Sequence, residues 1–308
     1  MLGQLLASIV VAVLGYQATQ LLRPTPSVRG KSVVIVGASS GIGRSLALEY
    51  ARGGAQLLLS ARRAHELSQV AEECRQLGAV AEHVSGDITR PETQQELLAA
   101  ATRLFAEGVD YLVLNAGALS VQPVLDLWGM RDSSPQLQPP TAEAASRADT
   151  ALRQIMEINA IAPINTASWF LPLLAKRKGS IVVVSSIAGM LAAPTRSLYS
   201  ASKHAVAGYF AALRMEVRVL DVTVTIVYPG TVDTELRQSA VDREDGASVA
   251  GSKRGKMSPL RCAQQILRAA ALRQPTLITP LPYWISSIVH AFAPGLVEYL
   301  ARRKYGLP

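Results

Sequence analysis

The sequence predicts an α/β domain built on a doubly wound parallel sheet of about seven strands, with helices on both faces. Short runs rich in Val, Ile and Leu alternate with amphipathic stretches that end at glycine, a pattern typical of repeated strand–helix units. Most of these runs are continuously apolar, which indicates strands buried on both faces of a parallel sheet. A hydrophobic fraction of 49% is sufficient to fill such a core and excludes a disordered chain.

The predicted elements follow one another in a regular order. The first strand, SVVIV at 32–36, leads through a glycine-rich turn into the helical segment GRSLALEYARGG. The second strand, QLLLS at 56–60, leads into RRAHELSQVAEECRQLG, which also reads as a helix ending at glycine. The remaining predicted strands are VAEHVS at 80–85, YLVL at 111–114, SIVVVS at 180–185, VTVTIVY at 222–228 and PTLIT at 275–279.

Composition narrows the class of protein. The 308 residues suit one large domain, here residues 30–308, and the two cysteines, Cys74 and Cys262, are too few for a disulfide framework. The four histidines are scattered, and no metal site is expected. The net charge of +8 comes from basic residues spread along the chain without a nucleic-acid-binding motif. That charge favours contact with an anionic membrane surface over nucleic acid.

The N-terminal segment, residues 1–22, contains no charged side chain. As a helix it would be about 33 Å long, enough to span a bilayer core of about 30 Å. We therefore expect a membrane anchor; a cleaved signal peptide and a helix lying on the membrane surface are the alternatives. Arg23, Arg29 and Lys31 follow the segment and no Lys or Arg precedes it, which predicts a domain facing the cytosol. We expect the anchor to lie in the endoplasmic reticulum membrane.

Three stretches depart from the strand–helix pattern. Residues 120–146 are rich in Pro, Gln and Ser and predict a surface excursion, whereas residues 232–256 are polar and charged and predict a mobile loop. The C-terminal tail, about residues 281–308, is apolar and aromatic and ends in basic residues. It is either an amphipathic segment that docks on the membrane or a helix that packs on the core or on a dimer partner.

The sequence GASSGIG joins the first predicted strand to the first predicted helix. Its residues Gly37, Gly41 and Gly43 allow a tight turn in which backbone N–H groups approach a pyrophosphate at the positive end of the helix. Glycine is also common in ordinary turns. The position directly after a buried strand nevertheless favours a dinucleotide-binding site.

The end of the second strand distinguishes between the two nicotinamide dinucleotides. Sites for NAD place an acidic residue there, whereas sites for NADP need a cation for the 2′-phosphate. This chain has Ala61, Arg62 and Arg63 at that point and no acid. Because a guanidinium can bind a phosphate through two hydrogen bonds, Arg62 predicts NADP(H). The alternative, which suits Arg63 better, is that the arginines only open an exposed helix.

A tyrosine and a lysine one helical turn apart predict acid–base chemistry. Tyr199 and Lys203 share a helix face, and an ammonium near the phenol is expected to lower the tyrosine pKa, so that Tyr199 exchanges a proton near neutral pH. Ser186 follows the fifth apolar run, at the sheet edge where ligands bind, and its hydroxyl can hydrogen-bond a substrate carbonyl. Taken singly, each residue is also consistent with a surface helix or a strand-capping serine.

Together these motifs resemble the short-chain dehydrogenase/reductase family. The resemblance rests on GASSGIG, NAG at 115–117, Asn159, Ser186, Tyr199 with Lys203, and PGTVDT at 229–234, in the family's order over roughly residues 30–280. It implies a Rossmann-type domain in which Tyr199 is the general acid/base and Ser186 positions the carbonyl. It further implies that Lys203 binds the nicotinamide ribose and tunes Tyr199, and that Asn159 holds a water in a proton relay.

The resemblance also implies further cofactor contacts. Asp87 corresponds to the residue beside the adenine, Asn115 to the one at the end of the fourth strand, and Thr234, with the backbone after Pro229, to the contact with the nicotinamide amide. Val36 stands where the family usually has Thr. The full set of expected cofactor-binding residues is Gly37, Ser39, Ser40, Gly41, Ile42, Gly43, Arg62, Asp87, Asn115, Tyr199, Lys203, Pro229 and Thr234.

The N-terminal anchor and the helix YSASKHAVAGYFAALRMEV resemble the membrane-bound branch of the family, which includes hydroxysteroid dehydrogenases and 3-ketodihydrosphingosine reductase. The resemblance therefore implies an NADP(H)-dependent oxidoreductase for a ketone or secondary alcohol on a lipophilic substrate, and we expect a homodimer. The alternative is a catalytically silent NADP(H)-binding sensor or scaffold at a membrane. A sensor would not need Ser186, Asn159, Tyr199 and Lys203 together.

Overall fold

Seven parallel strands form one sheet in a computed structural model that describes residues 23–131, 136–242 and 255–306. The strands are β1 (Ser32–Val36), β2 (Gln56–Ala61), β3 (Ala81–Ser85), β4 (Tyr111–Leu114), β5 (Ser180–Val184), β6 (Thr223–Pro229) and β7 (Thr276–Thr279). Their order in the sheet is β3-β2-β1-β4-β5-β6-β7. Each agrees with its predicted strand to within one residue at either end, which confirms the doubly wound parallel sheet. The predicted anchor at 1–22 lies outside the described residues, as does about half of the predicted loop at 232–256.

Helices connect the strands and cover both faces of the sheet. They are α1 (Gly41–Arg52), α2 (Ala64–Gln76), α3 (Pro91–Leu104), α4 (Val124–Leu127), α5 (Ala142–Met156), α6 (Ala162–Arg177), α7 (Ser197–Glu216), α8 (Pro259–Ala271), α9 (Leu281–Phe292) and α10 (Pro294–Lys304). A π-helical turn, Glu157–Ile161, joins α5 to α6, and a 3₁₀ helix, Glu235–Ser239, follows β6. Capping residues begin some of these helices; Ser258, for example, caps α8 by accepting a hydrogen bond from Arg261 N.

The core consists of two layers, one on each face of the sheet. Leu97 of α3, Phe170 of α6 and Phe210 of α7 are fully buried on one face. Leu46 of α1 and Ile266 of α8 are fully buried on the other. Burying each of these large side chains contributes about 1.5–3 kcal/mol, so the helices are held mainly by their apolar faces.

The strand order reverses between β1 and β4, and this reversal positions the site. β1 pairs with β2 on one side and with β4 on the other, with Val36 in register with both Ser60 and Leu114. The chain segments that follow β1 and β4 therefore leave the same edge of the sheet side by side. Open α/β sheets bind ligands in the crevice at such a switch point.

One long helical stretch of the described residues meets the length and hydropathy that a membrane span requires. It runs over Ala142–Arg177 and comprises α5, the π-helical turn and α6. A 44% share of its most apolar 18-residue stretch is buried inside the domain. Ile155, Phe170 and Leu174 within the helix have no exposed surface. Because its apolar side packs inside the domain, we interpret it as a core helix.

The predicted surface excursion at 120–146 is correct only in part. Ser120 is buried, and Leu127 of α4 packs against Ala148 and Ala151 of α5 in a small apolar cluster. The polar composition of the segment gave no sign of these contacts. A few apolar residues between prolines and glutamines are nevertheless enough to hold its ends against the domain.

The C-terminal tail forms the helices α9 and α10, neither of which has a buried residue. Leu281, Ile285, Ile288 and Phe292 form one exposed apolar stripe along α9, at positions i, i+4, i+7 and i+11. The opposite side of α9 faces the domain through Tyr283, whose ring lies over the backbone of Gly230. The tail therefore does not bury this stripe on the core of its own chain.

Candidate active site

A cleft of about 460 Å³ opens at the carboxyl edge of the sheet, at the switch point between β1 and β4. The structure brings most of the predicted site residues together in its lining, namely Gly37, Ser39, Ser40, Gly41, Ile42, Arg62, Asp87, Asn115, Ser186, Tyr199, Lys203, Pro229 and Thr234. Gly43 and Asn159 do not line the cleft but contact residues that do. Loops that are distant in sequence thus meet in one place because parallel strands end at the same edge.

The turn after β1 tolerates no side chain at two of its glycines. Gly37 has φ +85°, and a Cβ there would lie 2.6 Å from the backbone nitrogen of Ala116. A Cβ on Gly43 would lie 2.0 Å from the carbonyl oxygen of Gly37. That oxygen accepts a hydrogen bond of 2.9 Å from Asn115 Nδ2, so Asn115 stabilises the turn. The turn delivers the chain into the N-terminus of α1, which is suited to a pyrophosphate.

The two arginines after β2 differ in their surroundings. Arg62 is exposed in the cleft lining and makes no hydrogen bond or ion pair within the described part of the chain. Arg63 contacts Ser39 Oγ at 3.3 Å and pairs with Glu235 Oε2 at 3.3 Å. Its interpretation as a residue that only opens a helix is therefore incomplete, because it also bridges two segments of the cleft.

Asp87 and Thr234 lie at other parts of the cleft lining, and both also stabilise the local chain. Asp87 Oδ1 accepts hydrogen bonds from the backbone nitrogen and the hydroxyl of Thr89, at 3.0 and 2.9 Å. Thr234 Oγ1 accepts one from Leu236 N at 3.4 Å and so caps the 3₁₀ helix after β6. A Cβ on Gly41 would lie 3.0 Å from the Thr234 methyl carbon, which places Thr234 directly across from the glycine turn.

Ser186 and Tyr199 form the polar pair that a carbonyl group would meet. Ser186 follows β5, and its Oγ accepts a hydrogen bond from Ala188 N at 3.2 Å. Tyr199, near the start of α7, is buried, and its phenol lies close enough to the Ser186 side chain for that hydroxyl to oppose the rise in its pKa. The neighbouring Ser185 is directed elsewhere, donating to the carbonyl oxygen of Lys203 at 3.0 Å.

Burial dominates the electrostatics of Tyr199 and Lys203. Desolvation raises the pKa of Tyr199, and the opposing effects of the Ser186 hydrogen bond and of nearby Arg196 are smaller. The prediction that Lys203 lowers the Tyr199 pKa is thus wrong for the polypeptide itself. The ammonium lies 5.9 Å from the centre of the phenol ring and donates to Val184 O at 3.1 Å. Burial lowers the pKa of Lys203 to about 8, so at neutral pH Tyr199 is a protonated donor beside a mostly charged lysine.

Asn159 lies in the π-helical turn between α5 and α6 and is buried. Its Oδ1 accepts from Ala118 N at 2.8 Å, while Nδ2 donates to Ala118 O at 2.9 Å and to Ser202 Oγ at 3.0 Å. Ser202 Oγ in turn donates to the carbonyl oxygen of Tyr199 at 2.8 Å. Both amide hydrogens of Asn159 are therefore used in joining the segment after β4 to α7. π-helical turns of this kind are frequent at functional sites.

Sequence reasoning missed Ser202 as a member of this network. The available signal was its position, three residues after Tyr199 and one before Lys203, on the face of α7 that carries the pair. A serine on the buried face of a helix needs a hydrogen-bond partner, and Asn159 supplies one.

Comparisons with known proteins match one family over most of the chain. The family model described as short chain dehydrogenase matches residues 31–245, which include every predicted site residue. Hydroxysteroid 11-beta-dehydrogenase 1-like protein A of Xenopus laevis is 34% identical over 311 residues, covering 98% of this chain and 96% of that protein.

Two solved structures share the fold. A short chain dehydrogenase/reductase from Burkholderia phymatum, in complex with NAD, matches with a TM-score of 0.72 and 23% identity over 88% of this chain and 96% of its own. An alcohol dehydrogenase from Thermococcus sibiricus, complexed with 5-hydroxy-NADP, matches with a TM-score of 0.66 and 24% identity over 83% of this chain and 98% of its own. The two structures carry different dinucleotides, so the choice of cofactor must be argued from the residues of this chain.

Proposed function

Because this chain belongs to the short-chain dehydrogenase/reductase family, we propose that it is an NADP(H)-dependent reductase or dehydrogenase of a lipophilic ketone or secondary alcohol. Family membership makes it an oxidoreductase, and the cofactor preference and the substrate class are the proposal. The observation that carries it is the convergence of Ser186, Tyr199 and Lys203 on one cleft beside the glycine turn. The similarity to a hydroxysteroid 11-beta-dehydrogenase 1-like protein of Xenopus laevis supports a steroid-like substrate.

The residues of the cleft fit a nicotinamide dinucleotide. The turn at Gly37, which leaves no space for a Cβ, lets the backbone approach a pyrophosphate, and Arg62 presents a guanidinium that no other described group uses. Asp87 and Thr234 suit the adenine and nicotinamide ends of such a ligand. Bound there, the nicotinamide would supply hydride to the substrate carbon or accept it.

The chain's own residues would handle the proton. Tyr199, protonated at neutral pH, donates its phenolic proton to the substrate oxygen, and Ser186 hydrogen-bonds the same oxygen as negative charge develops on it. The Lys203 ammonium stabilises the resulting phenolate. The side chain of Asn159 holds Ala118 and Ser202 in place. We therefore assign the proposed contact with a relay water to the main-chain carbonyl of Asn159. Oxidation of an alcohol follows the same path in reverse.

The proposal includes a membrane location on the cytosolic face of the endoplasmic reticulum. The uncharged segment 1–22 would be the anchor, and the exposed stripe of α9 would lie against lipid, with Arg302, Arg303 and Lys304 near anionic headgroups. Carbonate extraction of membranes that carry the full-length chain checks this. Release into the soluble fraction would exclude the anchor. If the released protein is a dimer, and substitutions in the α9 stripe dissociate it, the stripe instead contacts a second copy of the chain.

A ketone panel tests the function directly. Purified full-length chain in detergent is assayed for NADPH oxidation with an 11-ketosteroid, a 3-keto sphingoid base and a long-chain aliphatic ketone. We expect turnover of at least one of them. Tight NADPH binding without turnover of any ketone, and without oxidation of the matching alcohols by NADP⁺, would favour the silent sensor instead.

Replacing Arg62 with Ala is expected to lower kcat/KM for NADPH about 10- to 100-fold and to leave kcat/KM for NADH nearly unchanged, because a charged hydrogen bond contributes about 1.5–3 kcal/mol. Parallel assays with the two cofactors measure the ratio. Arg103→Ala is the matched control, because it removes an exposed arginine of α3 that pairs with Glu82 of β3. An unchanged NADPH-to-NADH ratio in Arg62→Ala would show that Arg62 does not bind the 2′-phosphate.

A further inference from the structure

Asp242 is a buried carboxylate that the chemistry above does not use. Only 8% of its surface is exposed, and within the described part of the chain it pairs with no Lys, Arg or His. Its oxygens instead accept hydrogen bonds from three consecutive residues. Ser120 Oγ donates at 2.7 Å, Val121 N at 2.9 and 3.0 Å to the two oxygens, and Gln122 N at 2.9 Å.

These bonds join two segments that border the cleft. One is the chain after β4, which Asn159 holds at Ala118. The other, which we name the wall segment, is residues 236–242 after β6. The backbone adds further bonds between them, since Val241 N donates to Leu119 O at 2.9 Å and Leu119 pairs with Ala240 in a parallel bridge.

The wall segment lies on the Tyr199 side of the cleft. Its residues Leu236, Ala240 and Val241 pack against the buried cluster that contains Tyr199 and Leu119. Leu236, together with Gln238 and Ser239, also lines the cleft itself. A shift of the wall segment would therefore change the space next to the phenol, whereas Arg62 follows β2 on a different part of the rim.

We propose that Asp242 is a positioning residue for the substrate: its carboxylate fastens the wall segment to the chain after β4 and so fixes the wall against which a ketone lies beside Tyr199. The proposal rests on the proposed function for the identity of the ligand. It predicts that loss of the carboxylate weakens ketone binding more than it slows the chemical step, because Asp242 touches neither the phenol nor Ser186.

The chemistry of the contact suits a carboxylate. All its contacts come from N–H or O–H donors, and an ionised carboxylate accepts through both oxygens. An asparagine of the same size would turn an NH₂ group toward at least one of these donors. Asp242→Asn therefore removes the charge and weakens the fastening without creating a cavity, which makes it a sharper probe than alanine.

Asp110 offers a matched control at the other end of the sheet. It too is a buried carboxylate, and it accepts from Ser32 N, Ser32 Oγ and Lys31 Nζ, each at 3.0 Å. It precedes β4, at the amino edge, and does not line the cleft. Asp110→Asn should lower the thermal midpoint without changing the KM for ketone.

Kinetics with the most active ketone of the panel tests the positioning role. Asp242→Asn is expected to raise the KM for that ketone about ten-fold, the effect of losing one charged hydrogen bond. The KM for NADPH and the kcat should each change by less than about three-fold. If both Asn variants lower the thermal midpoint and neither shifts the KM for ketone, Asp242 has only a structural role and the proposal is overturned.

Hydrogen exchange of the full-length chain gives a readout that does not need turnover. The amides of Val121 and Gln122 and peptides of the wall segment should exchange about ten-fold faster in Asp242→Asn, and Asp110→Asn should leave them unchanged. Ser120→Ala, a milder variant, should act in the same direction if Asp242→Asn does not fold. A chain that neither reduces a ketone nor oxidises the matching alcohol would refute the proposed function, whereas unchanged exchange in the wall segment would refute the fastening by Asp242.

Discussion

Replacing Tyr199 with Phe is expected to reduce ketone turnover about 10²- to 10⁴-fold, the range that a positioned general acid contributes. The variant removes one oxygen and keeps the ring that packs against Leu119 and Ala188. Affinity for NADPH should therefore stay close to that of the unchanged chain. Steady-state assays with the ketone panel, together with fluorescence titration by NADPH, separate the two effects.

A buried tyrosine outside the site supplies the control for this variant. Tyr50 is fully buried in the core, and its hydroxyl has no hydrogen-bond partner in the described part of the chain. Tyr50→Phe removes an equivalent oxygen and should leave turnover unchanged. If Tyr199→Phe retains turnover within the range of Tyr50→Phe, Tyr199 is not the proton donor.

The raised pKa of Tyr199 also sets the direction of the pH dependence. A proton donor must be protonated, and burial keeps the phenol so through neutral pH. Rates of ketone reduction by the unchanged chain should therefore hold through neutral pH and decline only in alkaline solution. Oxidation of the alcohol, which needs the phenolate, should increase with pH over the same range.

Replacing Lys203 with Met is expected to abolish measurable turnover and yet to stabilise the protein at pH 7 in the absence of cofactor. Burial lowers the pKa of Lys203 from 10.5 to about 8, so holding the charged form at pH 7 opposes folding by about 3 kcal/mol. Losing its hydrogen bond to Val184 O offsets roughly 1 kcal/mol of the gain. The net increase in the free energy of unfolding should be about 1–2 kcal/mol.

The sign of the pH effect follows from proton binding. Between pH 8 and about 10.5 the unfolded chain holds a proton on Lys203 that the folded chain has lost, so the stability contributed by this group increases as pH rises through that interval. Below about pH 8 both states are protonated and the penalty is present in full. The advantage of Lys203→Met should therefore be greatest at pH 7 and shrink toward pH 10.

Denaturant titrations at pH 7 and pH 10 measure this difference. Lys176→Met, at an exposed position of α6, should alter neither stability nor turnover appreciably. A Lys203→Met variant less stable than the unchanged chain at pH 7 would mean that the buried ammonium does not oppose folding. A variant with normal turnover would remove Lys203 from the proposed site.

The sheet was predictable because its signal is local. Continuous Val, Ile and Leu runs such as SVVIV are typical of strands covered on both faces, and the order of strand and helix then restricts the topology. The bounds of β1 and β4 needed nothing beyond their own residues and the charged or glycine residues beside them. The Pro- and Gln-rich stretch after β4 lacked such a signal, so the packing of Leu127 against α5 was not predicted.

That most of the candidate site residues lie at one cleft was predictable for the same reason, but their protonation states were not. Glycines of the first turn, Ser186 after a strand, and the Tyr199–Lys203 spacing are all read from short stretches. The sign of the Tyr199 pKa shift depends on how completely the surrounding elements exclude water, and no short stretch contains that information.

Short stretches of the chain were enough to predict the doubly wound sheet, the glycine turn after β1 and the serine, tyrosine and lysine that meet at the cleft. The contacts that hold those residues in place become visible only in the folded chain. Asn159 joins Ala118 to Ser202, and Asp242 fastens Ser120, through hydrogen bonds between residues 41 to 122 positions apart in the chain. Such bonds leave no periodicity in the sequence, because they depend on where separate strands end in space and on the burial that makes each unpaired polar group unfavourable.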